Sequence, residues 1–172
     1  MELQGKRVAV LAEDLYQEME LWVPYYRLKE AGADVDILGT GKSSYASKNG
    51  YPVHPDGNVA DAEPRNYHGV VIPGGYAPDR MRAHEPLVRF VRSLAEQGGI
   101  VAWICHAGWV AVSANIIRGR AVTSVKAIQD DMRNAGGEWR DEPLVQDGNL
   151  ISSRVPSDLP LFCRALVAAL AK

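Results

Sequence analysis

The sequence predicts an α/β protein: a mainly parallel sheet with helices on both faces, in a three-layer α/β/α sandwich. Short apolar runs rich in valine and isoleucine recur along the chain, stretches with helical spacing stand between them, and glycines mark most of the exchanges. Strands that alternate with helices in this way pair in parallel, because each helix carries the chain back across the sheet.

Residues 6–12, KRVAVLA, form a β-prone run, and residues 18–31 read as a helix with Leu21, Tyr25 and Leu28 at helical spacing, stopped by Gly32. In ADVDILG, residues 33–39, valine and isoleucine alternate with aspartate, which predicts the second strand. Residues 40–67 are polar, so only short extended pieces around Tyr51–Val53 and one short turn of helix are expected there. HGVVIPGG, residues 68–75, is a buried-strand run ending in Pro-Gly-Gly. Residues 85–97 follow as a helix with Leu87, Val91, Leu94 and Ala95 on one face, closed by Gly98–Gly99. IVAWIC is the next strand, with a helix at 107–115, a loop and short strand, a helix near 126–134, a late strand at NLISSR and a final helix over about 159–171.

A chain of 172 residues fits one domain, 1–172, and no repeat or linker divides it. With 47% hydrophobic and 23% charged residues it resembles a globular protein rather than a disordered or fibrous one. The net charge of -2 gives no electrostatic reason to expect nucleic acid or an anionic membrane as partner. No apolar run approaches the roughly 18 residues of a membrane span, and the N-terminus leads into a strand instead of a signal peptide, so a cytoplasmic location is expected.

Two cysteines make no disulfide framework, and neither has the spacing of a structural metal site. GTGKSS departs from the phosphate-loop pattern at Asp36 and from the dinucleotide pattern at Ser44, while GxSxG and HExxH are absent. No cofactor or metal is therefore expected. His54, His68 and His84 are scattered, which suits surface or capping roles. Cys163 sits among apolar residues at helical spacing and reads as packing. Trp22, Trp103, Trp109 and Trp139 read as packing residues too, with Trp109 a candidate wall of the site.

Ligands of open parallel sheets bind beyond the carboxyl ends of the strands. Three unusual stretches fall at such ends: EDLYQEME after the first strand, PGGYAPDR after the central one, and CHAG after IVAWI. Cys105 stands where a strand turns into a helix, a place where backbone N–H groups and the macrodipole favour a thiolate. The N–H of His106 and those of Gly74 and Gly75 on the facing loop are candidate donors to an oxyanion. His106 is a candidate general base, although adjacent side chains do not face each other on a helix and a sharp turn is needed to join them. Glu18 and Glu20 are the carboxylates that could contact the sulfur, and either could instead stabilise the positive end of its helix. A lone cysteine at a strand end is more often a small apolar filler, so the combination carries the functional reading.

With these residues in place, the chain resembles the PfpI family of intracellular cysteine-peptidase-like and general stress proteins, within the superfamily of class I glutamine-amidotransferase-like folds. The resemblance rests on VPYYRLKEAGADV, GVVIPGGYAPDRMR, WICHAGW, TSVKAIQDDMRNAGGEW and LISSRVPSDLPLF, in the family's order and spacing. It implies a flavodoxin-like sandwich with a nucleophile elbow at Cys105, His106 beside it, and a glutamate four residues before Pro24, which is Glu20. It also implies an acidic residue after the Pro-Gly-Gly loop that reaches the histidine of a neighbouring subunit. Asp79 holds that position, so a homodimer or higher homo-oligomer is expected. Asp79 departs from the family's usual glutamate by one methylene, and Trp109 is a bulky departure after the histidine.

The activity implied is that of a stress-response hydrolase or lyase in which Cys105 attacks carbonyl substrates, as an intracellular peptidase or as a glyoxalase or deglycase. Small carbonyl compounds, peptides or damaged proteins would be its partners. The alternative is a redox-sensing stress protein or chaperone, in which Cys105 is oxidised to a sulfinate held by Glu20 and turnover is inefficient.

Overall fold

Strand β1 (Arg7–Leu11) has its last four residues buried and lies inside a seven-stranded sheet, in a computed structural model that describes residues 1–172. The other members are β2 (Asp34–Gly39), β5 (Gly57–Asn58), β6 (Gly69–Ile72), β7 (Ile100–Ile104), β10 (Val145–Asp147) and β11 (Leu150–Ser153). The spatial order is β10-β11-β7-β6-β1-β2-β5. Every pairing is parallel except the β10–β11 hairpin. The direction of winding reverses between β1 and β6, which makes that edge-to-edge junction the topological switch point of the sheet.

Helices α1 (Glu18–Glu30) and α6 (Leu159–Leu170) pack together on one face. The other face is covered by α2 (Ala77–Ala83), α3 (Glu85–Glu96), α4 (Gly108–Ser113) and α5 (Gln129–Asn134). The expected three-layer α/β/α arrangement, a flavodoxin-like sandwich, is present. Its layers meet in an apolar core where Val10, Leu21, Val71, Leu94, Trp103 and Phe162 are fully buried. Trp103 keeps its polar edge satisfied there by donating Nε1–H to Thr123 O at 3.0 Å. No helix is long and apolar enough to cross a membrane.

The expected elements appear with ends shifted by a residue or two, and the differences have local causes. Helix α2 falls between the Pro-Gly-Gly run and the helix expected from residue 85, where the sequence predicts no element, and Pro78 stands in its first turn. Proline is suited to the first turn of a helix, where its missing N–H costs no bond. The polar segment 40–67 contains a small hairpin of β3 (Tyr45–Ala46) and β4 (Pro52–Val53), the edge strand β5, and two 3-10 turns. A second two-stranded sheet joins β8 (Ala121–Val122) to β9 (Glu138–Trp139). The late strand β11 gains an antiparallel partner, β10, through a tight turn in which Gly148 takes φ 55°.

Candidate active site

Three segments meet beyond the carboxyl ends of β1, β6 and β7: residues 12–17, residues 73–76, and Cys105 with the residues after it. The first two are clipped together by an antiparallel bridge between Tyr16 and Gly75. Gln17 N–H donates to Gly74 O at 3.2 Å and Tyr76 N–H to Leu15 O at 2.9 Å. Gly75 adopts φ 80°, and a Cβ there would lie 2.6 Å from both Gln17 N and Leu15 O, so the crossing requires glycine.

Cys105 adopts φ 62°, a left-handed conformation uncommon for a residue with a side chain. The sharp turn joins β7 to a single 3-10 turn, Cys105–Ala107, which runs on into α4. It also brings neighbours in sequence together, since Cys105 Sγ lies 3.3 Å from His106 Nδ1. Burial raises the thiol's pKa, and the backbone N–H groups of His106 and Gly75 act on the sulfur in the opposite direction without outweighing it.

Glu20 is fully buried on the first turn of α1. Its N–H is capped by Gln17 Oε1 at 2.9 Å, while Pro24 lacks the N–H that would ordinarily bond the Glu20 carbonyl. Oε2 accepts the Gly74 N–H at 2.8 Å. A Cβ on Gly74 would stand 2.5 Å from that oxygen and 2.8 Å from the Cys105 Cβ, so the absent side chain is what lets carboxyl and cysteine approach. The second oxygen, Oε1, is buried without a hydrogen-bond partner.

Two expectations are corrected by this geometry. The Gly74 N–H does not face an oxyanion position, because Glu20 takes it, and the donors left beside the sulfur are Gly75 and His106. The thiol is also not held as a thiolate: burial first, and the nearby Glu20 charge second, push Cys105 up to about 12. One 3-10 turn followed by a six-residue helix supplies too little dipole to outweigh that burial. Burial likewise pushes Glu20 up to about 7, against the pull of Gly74, Lys48 and Cys105, and lowers His106, with Lys48 as second cause. His106 is therefore a neutral imidazole at neutral pH.

Of the two candidate acids, only Glu20 turns to the cysteine. Glu18 Oε1 instead accepts the Ser47 hydroxyl at 2.5 Å and the Asn49 N–H at 3.2 Å. That contact folds the β3–β4 hairpin over the site and brings in Lys48, a residue with no motif to announce it. Lys48 lines a cavity of about 150 Å³ together with Gln17, Glu20, Gly75, Cys105 and His106. Tyr76 and Pro156 complete its walls. An adjoining cavity of about 360 Å³ shares Gly75, Tyr76 and His106 and adds Leu15, Asp79, Arg80 and Trp109. Asp79 is exposed there, in the first turn of α2. Trp109 packs edge-on against His106 at 5.4 Å and is anchored by Nε1–H donation to Asp131 Oδ2 at 2.9 Å.

The remaining singled-out residues stand apart from the cysteine. Cys163 is buried on α6 and pushed up to about 11 by that burial. It borders a groove of about 540 Å³ between α1 and α6, whose other walls include Met19, Val23 and Pro160 and which holds no pair of groups suited to bond chemistry. His54 and His68 are exposed, and His84 sits at the junction of α2 and α3. No group of three or more His, Cys, Asp or Glu side chains is placed to hold a metal ion.

Against known proteins, residues 6–169 match the DJ-1/PfpI family. The chain is similar to the protein named Deglycase PfpI of Pyrococcus furiosus, 40% identical over 164 residues that cover 95% of this chain and 99% of that one. It is 42% identical over 164 residues to an uncharacterized protein of Archaeoglobus fulgidus, covering 95% and 98% of the two chains. Among solved structures it is similar to a two-domain protein of Anabaena variabilis with DJ-1/ThiJ/PfpI-like and ferritin-like domains. There the TM-score is 0.94 at 42% identity over 96% of this chain, which spans only 48% of the larger one. DJ-1beta of Drosophila melanogaster superposes with a TM-score of 0.89 at 26% identity, over 96% of this chain and 90% of that one.

Proposed function

The chain belongs to the DJ-1/PfpI family, and from that starting point we propose that it is a cysteine-dependent enzyme of the deglycase type, removing carbonyl adducts from small molecules or proteins. The observation that carries the reading is the strained turn at Cys105, which sets its sulfur between the His106 ring at 3.3 Å and the N–H groups of Gly75 and His106, beside buried Glu20. Inert packing requires none of these features. The names of several relatives, Deglycase PfpI of Pyrococcus furiosus among them, favour an adduct as substrate over a peptide.

In the proposed reaction, ionised Glu20 takes the thiol proton as the sulfur adds to a substrate carbonyl. The Gly75 and His106 N–H groups hold the oxyanion that forms. The amine of the adduct leaves with a proton supplied by neutral His106. The hemithioacetal left on Cys105 isomerises by moving its C–H proton to the neighbouring carbonyl carbon, which gives a 2-hydroxyacyl thioester with no external oxidant. Water hydrolyses that thioester to the hydroxy acid and the free thiol. Because the resting thiol is un-ionised, activation is coupled to substrate entry. Asp79, near His106 across the second cavity, is proposed to act with the histidine of a neighbouring copy in a homo-oligomer.

The test follows the methylglyoxal adduct of an acetylated lysine by proton NMR with wild type and Cys105→Ser. Regenerated amine and a hydroxy acid with the wild type alone are expected, and equal decay with both proteins contradicts the reading. A second reading, oxidation of Cys105 by a peroxide in a redox-responsive stress protein, is favoured by the unpartnered Glu20 Oε1, which in its protonated form is placed to hold an oxygen added to the sulfur.

A further inference from the structure

Lys48 is exposed, and its ammonium has neither an ion pair nor a hydrogen bond. Lys42, six residues earlier and just ahead of the hairpin, is by contrast tied to Asp14 at 2.5 Å. The backbone that carries Lys48 is nevertheless fixed on every side. Ser47 N–H donates to Tyr51 O at 2.8 Å and Lys48 N–H to Tyr16 O at 3.0 Å, while Glu18 staples Ser47 and Asn49 to the start of α1. A rigid stem thus presents a free cation at the mouth of the cavity that contains Cys105, His106 and Glu20. The ammonium lies within electrostatic reach of all three, since it lowers the pKa of each.

The surrounding charges define what that cation can meet. In the adjoining cavity Asp79 and Arg80 oppose each other, whereas the cysteine cavity has Glu20, partly protonated near pH 7, neutral His106, the Cys105 thiol and Tyr76 around Lys48. The carboxylate nearest on its own stem, Glu18, is taken up by Ser47 and Asn49. A space of about 150 Å³ has the liquid volume of about five waters. It accepts a compact carbonyl fragment, with room for a small charged group facing Lys48.

We propose that Lys48 is the anion-recognition residue of this site, selecting carbonyl compounds or adducts that carry a carboxylate next to the carbonyl presented to Cys105. The carbonyl chemistry is that of the function proposed above, while attraction of a carboxylate to the sulfur stands independently of turnover. The experiment separates the two. Alkylation of Cys105 by iodoacetate and by neutral iodoacetamide is measured on the Cys105 peptide by mass spectrometry. The ratio of the two rates cancels any change in thiol reactivity common to both reagents. Lys48→Met is expected to lower the iodoacetate-to-iodoacetamide ratio about threefold to fivefold, Lys48→Arg to keep it, and high salt to bring the wild type to the Lys48→Met value. An unchanged ratio in Lys48→Met, or a fall confined to Arg80→Met, overturns the assignment.

Turnover then tests the substrate class by amine release from adducts of acetylated lysine, in which the sulfur displaces the amine and then frees the carbonyl compound. The kcat/KM for the glyoxylate adduct is expected to fall more in Lys48→Met than kcat/KM for the methylglyoxal adduct. Equal losses for the two overturn the selection of carboxylated substrates. Absence of turnover with either compound counts against the enzymatic reading and leaves the alkylation ratio to decide the role of Lys48.

Discussion

The Glu20 carboxyl takes the N–H of Gly74 at 2.8 Å from a fully buried position. The bond joins the first turn of α1 to the loop after β6, and it holds an ionisable group beside the cysteine where a solvated carboxylate would be more stable. The first three consequences below follow from this contact.

Stability should fall with rising pH. Burial raises the Glu20 pKa in the folded chain from 4.5 to about 7. Between those values the folded state binds a proton that the unfolded state has released, so the stabilisation is full below the lower value and is lost as pH rises through the upper one. The loss amounts to up to about 3 kcal/mol. Glu20→Gln keeps an acceptor for the Gly74 N–H and removes the charge. Urea denaturation at pH 5 and pH 8 should show the variant gaining on the wild type at pH 8; parallel behaviour of the two proteins would contradict the burial of this carboxyl.

Activity should run the opposite way. If Glu20 takes the thiol proton, kcat/KM rises as pH passes through about 7, the value to which burial moves the carboxyl. In Glu20→Gln that limb should vanish and the rate fall by about a hundredfold or more. A limb that survives the substitution would assign the titration to another group.

Gly74→Ala should damage both properties. Its new Cβ meets Glu20 Oε2 at 2.5 Å, Cys105 Cβ at 2.8 Å and Ile104 O at 3.0 Å, and two of these three atoms belong to the main chain or lie next to it. The expected cost is about 2 kcal/mol, read from the denaturation midpoint, together with loss of most turnover. Wild-type values for both would show that carboxyl and cysteine need no such close approach.

A fourth expectation concerns the support of the cavity wall. Arg154 donates to Asp158 through its Nε at 3.0 Å and through its backbone N–H at 3.1 Å, and to Asp141 at 2.9 Å. Asp158 is only 5% exposed and lies in the 3-10 turn headed by Pro156, which lines the cysteine cavity. Arg154→Ala leaves that buried carboxylate short of partners and should cost about 2 kcal/mol. A change within measurement error would place the pair among ordinary surface contacts.

The legibility of the sequence follows the range of the forces involved. β1, β2, β6 and β7 could be read because strands covered on both faces become apolar runs, and Cys105 could be read because the run ends at it. β5 and β10 could not, since edge strands of two or three residues leave little periodicity. The choice between Glu18 and Glu20 lay beyond residue-level reading, as both suit a helix N-terminus. The family resemblance pointed to Glu20, and contacts 29 and 54 residues distant in sequence separate the two acids in the fold. Lys48 left no local mark, because its place depends on a hairpin anchored by Glu18. The thiol's pKa is not legible from the helix end alone, because burial in the packed fold sets its direction.

The central claim, that Cys105 bonds to the substrate's carbonyl carbon, is tested most directly by quenching the wild type with acid during turnover of a methylglyoxal adduct and weighing the Cys105 peptide. The account predicts a fraction of that peptide carrying the added acyl or hemithioacetal mass, discharged when substrate is exhausted and absent in Cys105→Ser. Continued turnover with the Cys105 peptide unmodified at every time point, and undiminished turnover by Cys105→Ser, would contradict it.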